Sequence, residues 1–242
     1  MPPNFAFIMN IFYQSDLSLQ TNSLSEEESR HCTRVLRLKE GDHINLIDGK
    51  GTFCEAVIKK ADTRNCEYEI VNRISEYGKR NFNLTIAIAP TKNNERFEWF
   101  LEKATEIGID RIIPVICRYS ERKELKIDRL EKIIISAVKQ SQKAYVPILS
   151  PVMKFQEFIK MPFAGDKFIA HCYINEERLL LKNKVKPGTD SLICIGPEGD
   201  FSSAEVDAAT ELGFIPISLG NSRLRTETAG VVACHTVNLL NE

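Results

Sequence analysis

Two arginines stand directly before an amphipathic segment near the carboxyl end of the chain. Arg223 and Arg225 precede a helical pattern that starts at Thr226. A helix macrodipole disfavours cations at its N-terminus by roughly 0.3 to 1 kcal/mol, and an anionic ligand or an RNA phosphate would remove this conflict, because helix N-termini bind anions through their free amides. The alternative is a pair of solvated arginines. The placement therefore favours a site for an anion.

A second segment able to do chemistry is the loop Gly196-Pro197-Glu198-Gly199. Loops that cradle phosphates offer glycine amides and usually a lysine, whereas this loop loses one amide to Pro197 and adds the carboxylate of Glu198. A carboxylate at the end of a strand suits ribose hydroxyls or a cationic ligand better than a triphosphate. For the tetrapeptide alone, an ordinary tight turn is the simpler interpretation.

Each loop follows a short apolar segment and precedes a helical pattern. Ser191–Ile195 is too short for a helix and rich in apolar residues, which predicts a strand buried on both faces. Ser202 and Glu205 match a capping box at the start of the next helix. Phe214–Leu219 predicts a second strand, and Thr226 is the expected N-cap of the C-terminal helix. We therefore expect the two strand ends to open side by side.

The middle of the chain alternates in the same way. Leu84–Ala89 predicts a strand, Glu95–Ile107 a helix that ends at Gly108, and Ile109–Val115 another strand. Strands that alternate with helices are typical of a parallel α/β sheet.

The two loops together resemble the signature of the RsmE family. The chain has GPEG followed by a phenylalanine and a capped helix, then LG, a few residues and LRTETA. The segments ERFEWFLEKATEIGIDRIIPV and KQSQKAYVP resemble two further blocks of that family. Its members are SPOUT-class methyltransferases that use S-adenosylmethionine to methylate N3 of a uridine in 16S ribosomal RNA. The resemblance implies the same activity here.

The resemblance also implies a fold and a set of ligand contacts. The fold would be α/β, with a C-terminal trefoil knot whose loops hold S-adenosylmethionine. Knots are nearly absent from proteins, so no periodicity predicts one. The implied cofactor-binding residues are His171, Ile195, Gly196, Glu198, Gly199, Leu219, Gly220, Asn221 and Leu224. A histidine on a strand is more often a packing residue, and that alternative stays open for His171.

Methylation at N3 sets the chemistry that the side chains must perform. The reaction is an in-line displacement that needs alignment of the reactants, and the uridine must lose its N3 proton as it attacks. A cation near the uracil oxygens would stabilise the developing anion, and a base would accept the proton. We expect Arg225 in the first role and Glu227 or Glu198 in the second. Because N3 lies on the pairing edge, the base must be unpaired or flipped.

Three residues depart from the family pattern. Asp200 replaces a glycine that is common after GPEG, which adds negative charge beside the expected pocket. Ser222 and Arg223 stand where the family often has an arginine and a branched aliphatic residue. Arg223 is therefore a candidate substitute for the displaced arginine and a candidate RNA contact.

Residues 1–74 are predicted to form a separate small domain. Short β-like segments joined at Asp48–Gly51 indicate a small β-barrel, and one helix, capped by Ser25, interrupts them. The segment HCTRVLRLKEGD in this helix resembles a PUA-like RNA-binding domain. Residues 75–242 would then form the SPOUT methyltransferase domain.

The predicted helix of the first domain carries a basic stripe. Arg30, Arg34 and Arg37 fall at i, i+4 and i+7 and would lie along one helical face. A solvated face is the alternative, but the PUA-like resemblance favours contact with RNA.

Composition limits the remaining possibilities. The chain has 242 residues, 43% of them hydrophobic, and a formal net charge of -1, as expected of a soluble globular protein. It has no stretch long enough for a membrane span and no convincing signal peptide, so we expect it in the cytoplasm. Seven scattered cysteines and four histidines indicate reduced, mostly buried thiols and no metal site.

Two other functions compete with methyl transfer. The first is a non-catalytic rRNA-binding protein with a degenerate methyltransferase fold. The second is an α/β hydrolase or nucleotide enzyme, which the missing G-x-S-x-G, P-loop and G-x-G-x-x-G motifs count against. The resemblance further implies a homodimer whose partner is 16S rRNA or the small ribosomal subunit.

Overall fold

The computed structural model describes residues 10–17, 23–173 and 179–242, and the chain forms two compact units. The first unit contains the described residues up to Lys79 together with Val138–Val146. The second contains Arg80–Ala137 and Pro147–Glu242. Met9, where the resemblance to the RsmE family begins, lies outside the described residues. The division into functional domains at residues 1–74 and 75–242 stays a prediction.

The first unit is a small mixed sheet of four strands. Its strands are β1 (Ile11–Tyr13), β2 (His43–Ile47), β3 (Phe53–Lys60) and β4 (Glu67–Ile74). They lie in the order β1-β2-β3-β4, with β1 parallel to β2 and the other pairs antiparallel. The predicted hairpin at Asp48–Gly51 joins β2 to β3. Phe12, Leu46 and Tyr68 lie in the core beneath the sheet.

The segment Val138–Val146 is built into the first unit by specific contacts. Lys139 Nζ donates to Glu28 Oε1 at 2.7 Å, and Val146 N–H donates to Gly49 O at 2.9 Å. A Cβ at Gly51 would lie 2.3 Å from the Tyr145 ring, so only glycine fits beside this tyrosine. The sequence motifs did not indicate that Val138–Val146, which follows Arg80–Ala137 of the second unit, belongs to the first unit.

The helix of the first unit is shorter than predicted. Ser25 caps it as expected, but α1 spans only Glu26–Arg30, and a wider π-helical turn follows at His31–Val35. Arg37 lies beyond the helix with a φ of 57°. Leu36 and Leu38, on either side of it, both pack against the core. The expectation of three arginines on one helical face is therefore wrong, because Arg37 takes a left-handed conformation after the helix has ended.

The second unit contains a parallel sheet of eight strands. Its strands are β5 (Leu84–Ile88), β6 (Arg111–Ile116), β7 (Ile148–Leu149), β8 (Met153–Lys154), β9 (Asp166–Ala170), β10 (Leu179–Leu180), β11 (Ser191–Ile195) and β12 (Ile215–Ser218). The order is β10-β12-β9-β11-β5-β6-β7, and β8 also pairs with β6. Every residue of β5 and β11 is buried, which confirms the prediction of a strand buried on both faces.

Helices cover both faces of this sheet. They are α2 (Asn94–Ile107), α4 (Phe155–Phe158), α5 (Ser203–Glu211) and α6 (Thr226–Leu239), whereas α3 (Ile127–Gln140) runs on into the segment of the first unit at Val138. On one face α6 lies against α2, where a Cβ at Gly230 would be 2.6 Å from the Phe100 ring and 3.0 Å from Ile88 of β5. On the other face Phe158 of α4 and Val206 of α5 share one core.

The C-terminal chain does not follow the order of the strands. After β12, which lies beyond β9, it returns to pack α6 against β5 and β11. The predicted fold class, an α/β domain with a parallel sheet preceded by a small β domain, is confirmed.

The cysteines are free and six of the seven are buried, Cys172 being exposed, which confirms the prediction of mostly buried thiols. Among the described residues, no helix combines the length and apolarity needed to cross a membrane.

Candidate functional site

Two loops that carry predicted site residues lie at the carboxyl edge of the parallel sheet. The closed loop, Gly196–Gly199, follows β11, and the open loop, Leu219–Arg225, follows β12. The sequence predicted that the ends of these two strands open side by side, and this is wrong, because β9 lies between β11 and β12. His171, which directly follows β9, therefore lies between the two loops. They nevertheless meet, since Thr226 Oγ1 donates to Gly196 O at 3.1 Å.

The closed loop is fixed by packing and by hydrogen bonds. Gly196 and Pro197 are buried, and a Cβ at Gly196 would lie 3.1 Å from the Phe201 ring. Glu198 is exposed, and its Oε1 accepts from the Lys92 N–H at 2.9 Å. The carboxylate of this loop thus holds the β5–α2 connection in place.

Asp200 continues the closed loop in a left-handed conformation, with a φ of 65°. Its Oδ1 accepts from the Phe201 N–H and its Oδ2 from the Cys172 N–H, both at 2.8 Å. Short polar side chains tolerate this conformation because they bond to nearby backbone. The departure from the family's glycine therefore does more than add charge, since it ties the closed loop to the segment after β9.

His171 is 3% exposed and lies on that segment. Its Nδ1 accepts from the Tyr173 N–H at 3.3 Å, and the two rings lie 5.5 Å apart. Tyr173 Oη in turn donates to Phe201 O at 2.6 Å. These contacts hold the His171 side chain in place at this edge of the sheet. Its contact with a ligand stays a prediction.

The open loop is built differently. Gly220, Asn221 and Ser222 are exposed, as are Arg223 and Arg225. At its first end, Ser218 of β12 exchanges hydrogen bonds with Gly220 at 2.9 and 3.2 Å. At its other end, Arg225 O accepts from the Ala229 N–H at 2.7 Å.

The start of α6 differs from the prediction. Arg225, not Thr226, occupies the N-cap position and makes no side-chain capping bond. Thr226 is the first helical residue and is buried. Its hydroxyl does not cap the helix, because it donates to Gly196 O instead. The predicted N-cap was therefore wrong by one residue. Arg225 stands at the positive end of the helix dipole, as the sequence indicated for a site that receives an anion.

Glu227 is a buried acid in the first turn of α6, with 6% of its surface exposed. Its Oε1 lies 3.8 Å from Arg96 Nε, a long ion pair. Its Oε2 is buried and has no hydrogen-bond partner among the described residues. Buried polar atoms are normally paired, so this oxygen is a candidate acceptor for a ligand proton.

Thiol chemistry is disfavoured at two buried cysteines near this edge. Burial raises the pKa of Cys117 and of Cys194, both beside the sheet's carboxyl end, and the thiolate is the nucleophilic form. The described residues hold no cluster of three or more side chains able to bind a metal ion.

The β6–α3 connection, residues 117–126, also reaches this edge, and no sequence motif indicated it. Tyr119 packs on the closed loop, with its Cβ 3.0 Å from where a Cβ of Gly199 would lie. The available signal was its position, directly after a strand of a parallel sheet.

In the first unit, the arginines predicted to contact RNA are exposed, namely Arg30, Arg34 and Arg37. Arg30 forms an ion pair with Glu26. Their role stays a prediction.

Comparisons with known proteins agree with this arrangement. Residues 78–238 match the family model of an RNA methyltransferase domain, and residues 24–71 match that of an RNA methyltransferase PUA domain. The chain is 29% identical over 224 residues to ribosomal RNA small subunit methyltransferase E of Rickettsia conorii, covering 89% of this chain and 88% of the relative.

Two crystal structures are similar over nearly the whole chain. That of a probable rRNA methyltransferase from Porphyromonas gingivalis has a TM-score of 0.89 and 44% identity, covering 96% of this chain and 98% of the other. That of ribosomal RNA small subunit methyltransferase E from Neisseria gonorrhoeae, bound to S-adenosylmethionine, has a TM-score of 0.87 and 30% identity, covering 97% and 98%.

Proposed function

The chain belongs to the RNA methyltransferase family, and we propose that it transfers a methyl group from S-adenosylmethionine to N3 of a uridine in small-subunit ribosomal RNA. The observation that carries this proposal is the hydrogen bond from Thr226 to Gly196, which brings the two loops together at the edge where His171 lies. The choice of N3 and of 16S rRNA rests on the family resemblance.

The residues at this edge fit S-adenosylmethionine. Glu198 is an exposed carboxylate suited to a ribose or a cationic group, and the exposed residue Asn221, next to Gly220, would offer its backbone to an adenine. Buried apolar walls are supplied by Ile195 and Phe201. The other proposed contacts are His171, Gly196, Gly199, Leu219 and Leu224. When bound, the cofactor supplies an electrophilic methyl group on a positively charged sulfur.

Arg225 would stabilise the negative charge that develops on the uracil oxygens. It is exposed at the N-cap of α6, where a cation is otherwise disfavoured. Preorganised charge of this kind is worth about 10²- to 10³-fold in rate in other enzymes.

Glu227 is the better candidate for accepting the N3 proton. Glu198 already holds the Lys92 N–H with one oxygen, whereas Glu227 Oε2 has no described partner. A target base that is flipped out of its stack would bring N3 to these groups. Replacing Glu227 with glutamine keeps the shape and removes the base, so we expect a slower methyl transfer with little change in cofactor affinity.

Residues 1–74 would bind the RNA. Exposed Arg34 and Arg37 are placed to contact phosphates, with Arg30 and, from the second unit, Arg223 as further contacts. Replacing Arg34 and Arg37 with alanine should weaken RNA binding and reduce the slope of log affinity against log salt by about 0.7 to 0.9 per lost phosphate contact. Lys59→Ala, at an exposed lysine of the same unit paired with Glu69, is the matched control. An unchanged slope in the double variant would remove these arginines from the RNA site.

We also propose that the protein is a homodimer in the cytoplasm. Trp99 on α2 and Leu239 on α6 are large apolar residues that stay exposed, on the two helices that cover one face of the sheet. A second copy packed over these helices would bury them. Light scattering of the wild type and of Trp99→Ala tests this, because a monomeric wild type would contradict it.

Methylation itself is tested with purified protein, S-adenosylmethionine and either naked 16S rRNA or small subunits. Methyl transfer to one uridine should block reverse transcription there, because N3 lies on the pairing edge. Calorimetry should show cofactor binding without RNA. RNA binding without cofactor binding would favour the alternative, a non-catalytic rRNA-binding protein.

A further inference from the structure

Tyr119 is an aromatic side chain that stays 48% exposed at the carboxyl edge of the sheet. It lies in the β6–α3 connection and packs against Gly199 of the closed loop. The Arg118 guanidinium lies 5.8 Å from the centre of its ring. Single exposed apolar residues are common on protein surfaces, so exposure alone identifies no site.

The backbone that carries this ring is held firmly. Ser120 N–H donates to Cys117 O at 3.1 Å, and Ser120 Oγ accepts from the Cys117 N–H at 2.9 Å. The Arg118 N–H donates to Glu205 Oε1 at 2.8 Å, which fixes the turn to the start of α5.

The other end of the connection is fixed as well. The Arg122 guanidinium donates to Lys92 O at 2.6 Å and to Thr91 O at 3.1 Å. Tyr119 is therefore an exposed ring on a turn anchored at both ends, which lowers the entropy lost when a ligand stacks on it.

The strand order places the ring to one side of the strands that carry the proposed cofactor residues. The proposed cofactor residues follow β9, β11 and β12, whereas Tyr119 follows β6, which is separated from β11 by β5. Neighbouring strands lie about 4.8 Å apart, so the end of β6 is roughly 10 Å from that of β11. A group stacked on Tyr119 would thus flank the cofactor rather than replace part of it.

We propose that Tyr119 is a stacking platform for a base of the RNA substrate next to the target uridine, with Arg118 contacting the adjoining phosphate. The proposal rests on the proposed function. Unpaired bases of RNA stack on aromatic rings and on guanidinium planes, and the required groups, an open ring and an exposed arginine, occur here side by side. The chain thereby holds an RNA contact outside the PUA-like domain and outside the two loops.

The test compares Tyr119→Ala with Tyr119→Phe, which keeps the ring. Single-turnover methylation is measured against RNA concentration, cofactor affinity by calorimetry and folding by thermal unfolding. Tyr119→Ala should need roughly 5- to 100-fold more RNA for half-maximal rate, in line with the loss of one base stack, and its cofactor affinity should be unchanged. Tyr119→Phe should behave as the wild type. Leu212→Ala, at an apolar residue of similar exposure, is the control.

Two outcomes would overturn the proposal. Normal RNA dependence in Tyr119→Ala would make the ring a mere surface residue. A loss of cofactor affinity with normal RNA dependence would make it a support of the closed loop, on which it packs, rather than a platform for a base. Absence of methylation by the wild type would instead refute the proposed function.

Discussion

The closed loop and the open loop lie at one edge of one sheet and are built in opposite ways. The closed loop, Gly196–Gly199, is held on two sides, since its first carbonyl accepts from Thr226 and its carboxylate accepts from the Lys92 N–H. The open loop, Leu219–Arg225, exposes both arginines, and its described bonds lie at its two ends, where it leaves β12 and where Arg225 O accepts from the Ala229 N–H of α6. One side of the site is thus formed before any ligand arrives, and the other is accessible to solvent.

This difference indicates a division of work. A preformed wall binds a cofactor without further ordering, because the entropy of fixing the loop has already been lost on folding. An exposed cationic loop suits a large polyanion, which must approach, bind and leave. Substitutions in the closed loop should therefore act on cofactor affinity, and those in the open loop on methyl transfer.

The largest effect is expected for Arg225→Ala in the open loop. Loss of the cation that faces the developing anion should lower the single-turnover rate by about 10²- to 10³-fold, and calorimetry should find cofactor affinity within about twofold of the wild type. Ser222→Ala, at another exposed position of the same loop, is the control and should be normal. If Arg225→Ala methylates at the normal rate with saturating cofactor, the division between the loops fails.

The next largest effect is expected for Gly196→Ala in the closed loop. The new Cβ would lie 3.1 Å from the Phe201 ring and 3.3 Å from its backbone nitrogen, so the loop must shift. Overpacking of this kind costs about 1 to 3 kcal/mol, and we expect cofactor affinity to fall roughly 30-fold. Normal affinity in this variant would mean that the closed loop is not the wall of the cofactor site.

Sequence patterns predicted the elements of this site better than their arrangement. The strand Ser191–Ile195 and the acid that starts α5, Glu205, were predictable because burial and capping leave local signals. That β9 separates β11 from β12 was not, because strand order depends on where the chain crosses the sheet. The same limit applied to Val138–Val146, which joins the first unit through contacts with residues far away in sequence.

The sequence predictions were wrong or incomplete at three residues whose backbone conformation or hydrogen-bond partner depends on the fold. Arg37 fitted a helical spacing, yet its left-handed conformation ends the helix before it. Thr226 was a plausible N-cap, but its hydroxyl bonds to another loop. Asp200 looked like added charge, and only its geometry shows two backbone bonds. Local patterns carry no information about such distant partners.

A substitution at Asp200 can weaken the contacts of the closed loop without adding atoms to it. Asp200→Gly removes both backbone bonds of the carboxylate and relieves the left-handed strain, so the free energy of unfolding should change little. Cofactor affinity should fall about tenfold, because the segment after β9 loses its tie to the closed loop. Calorimetry measures the cofactor affinity of this variant, and thermal unfolding measures its stability.

Two further variants at this position separate strain from bonding. Asp200→Asn keeps an acceptor and tolerates the conformation, so it should recover most of the affinity. Asp200→Ala keeps the strain and loses the bonds, so it should also unfold at a lower temperature. Equal cofactor affinity in all three variants would show that the hydrogen bond from the Cys172 N–H to Asp200 does not help to position the closed loop.

The smallest effect is expected where the two loops meet. Thr226→Val keeps the shape of the side chain and removes the hydroxyl that donates to Gly196 O. A neutral hydrogen bond contributes about 1 kcal/mol, so calorimetry should show cofactor affinity roughly fivefold lower, and Thr226→Ser should restore it. Because the bond also links α6 to the closed loop, the melting temperature should fall by about 2 to 4 °C. A lower melting temperature with normal cofactor affinity would mean that each loop is built independently, and the closed loop would then owe its rigidity to packing on Phe201 rather than to its contact with the open loop.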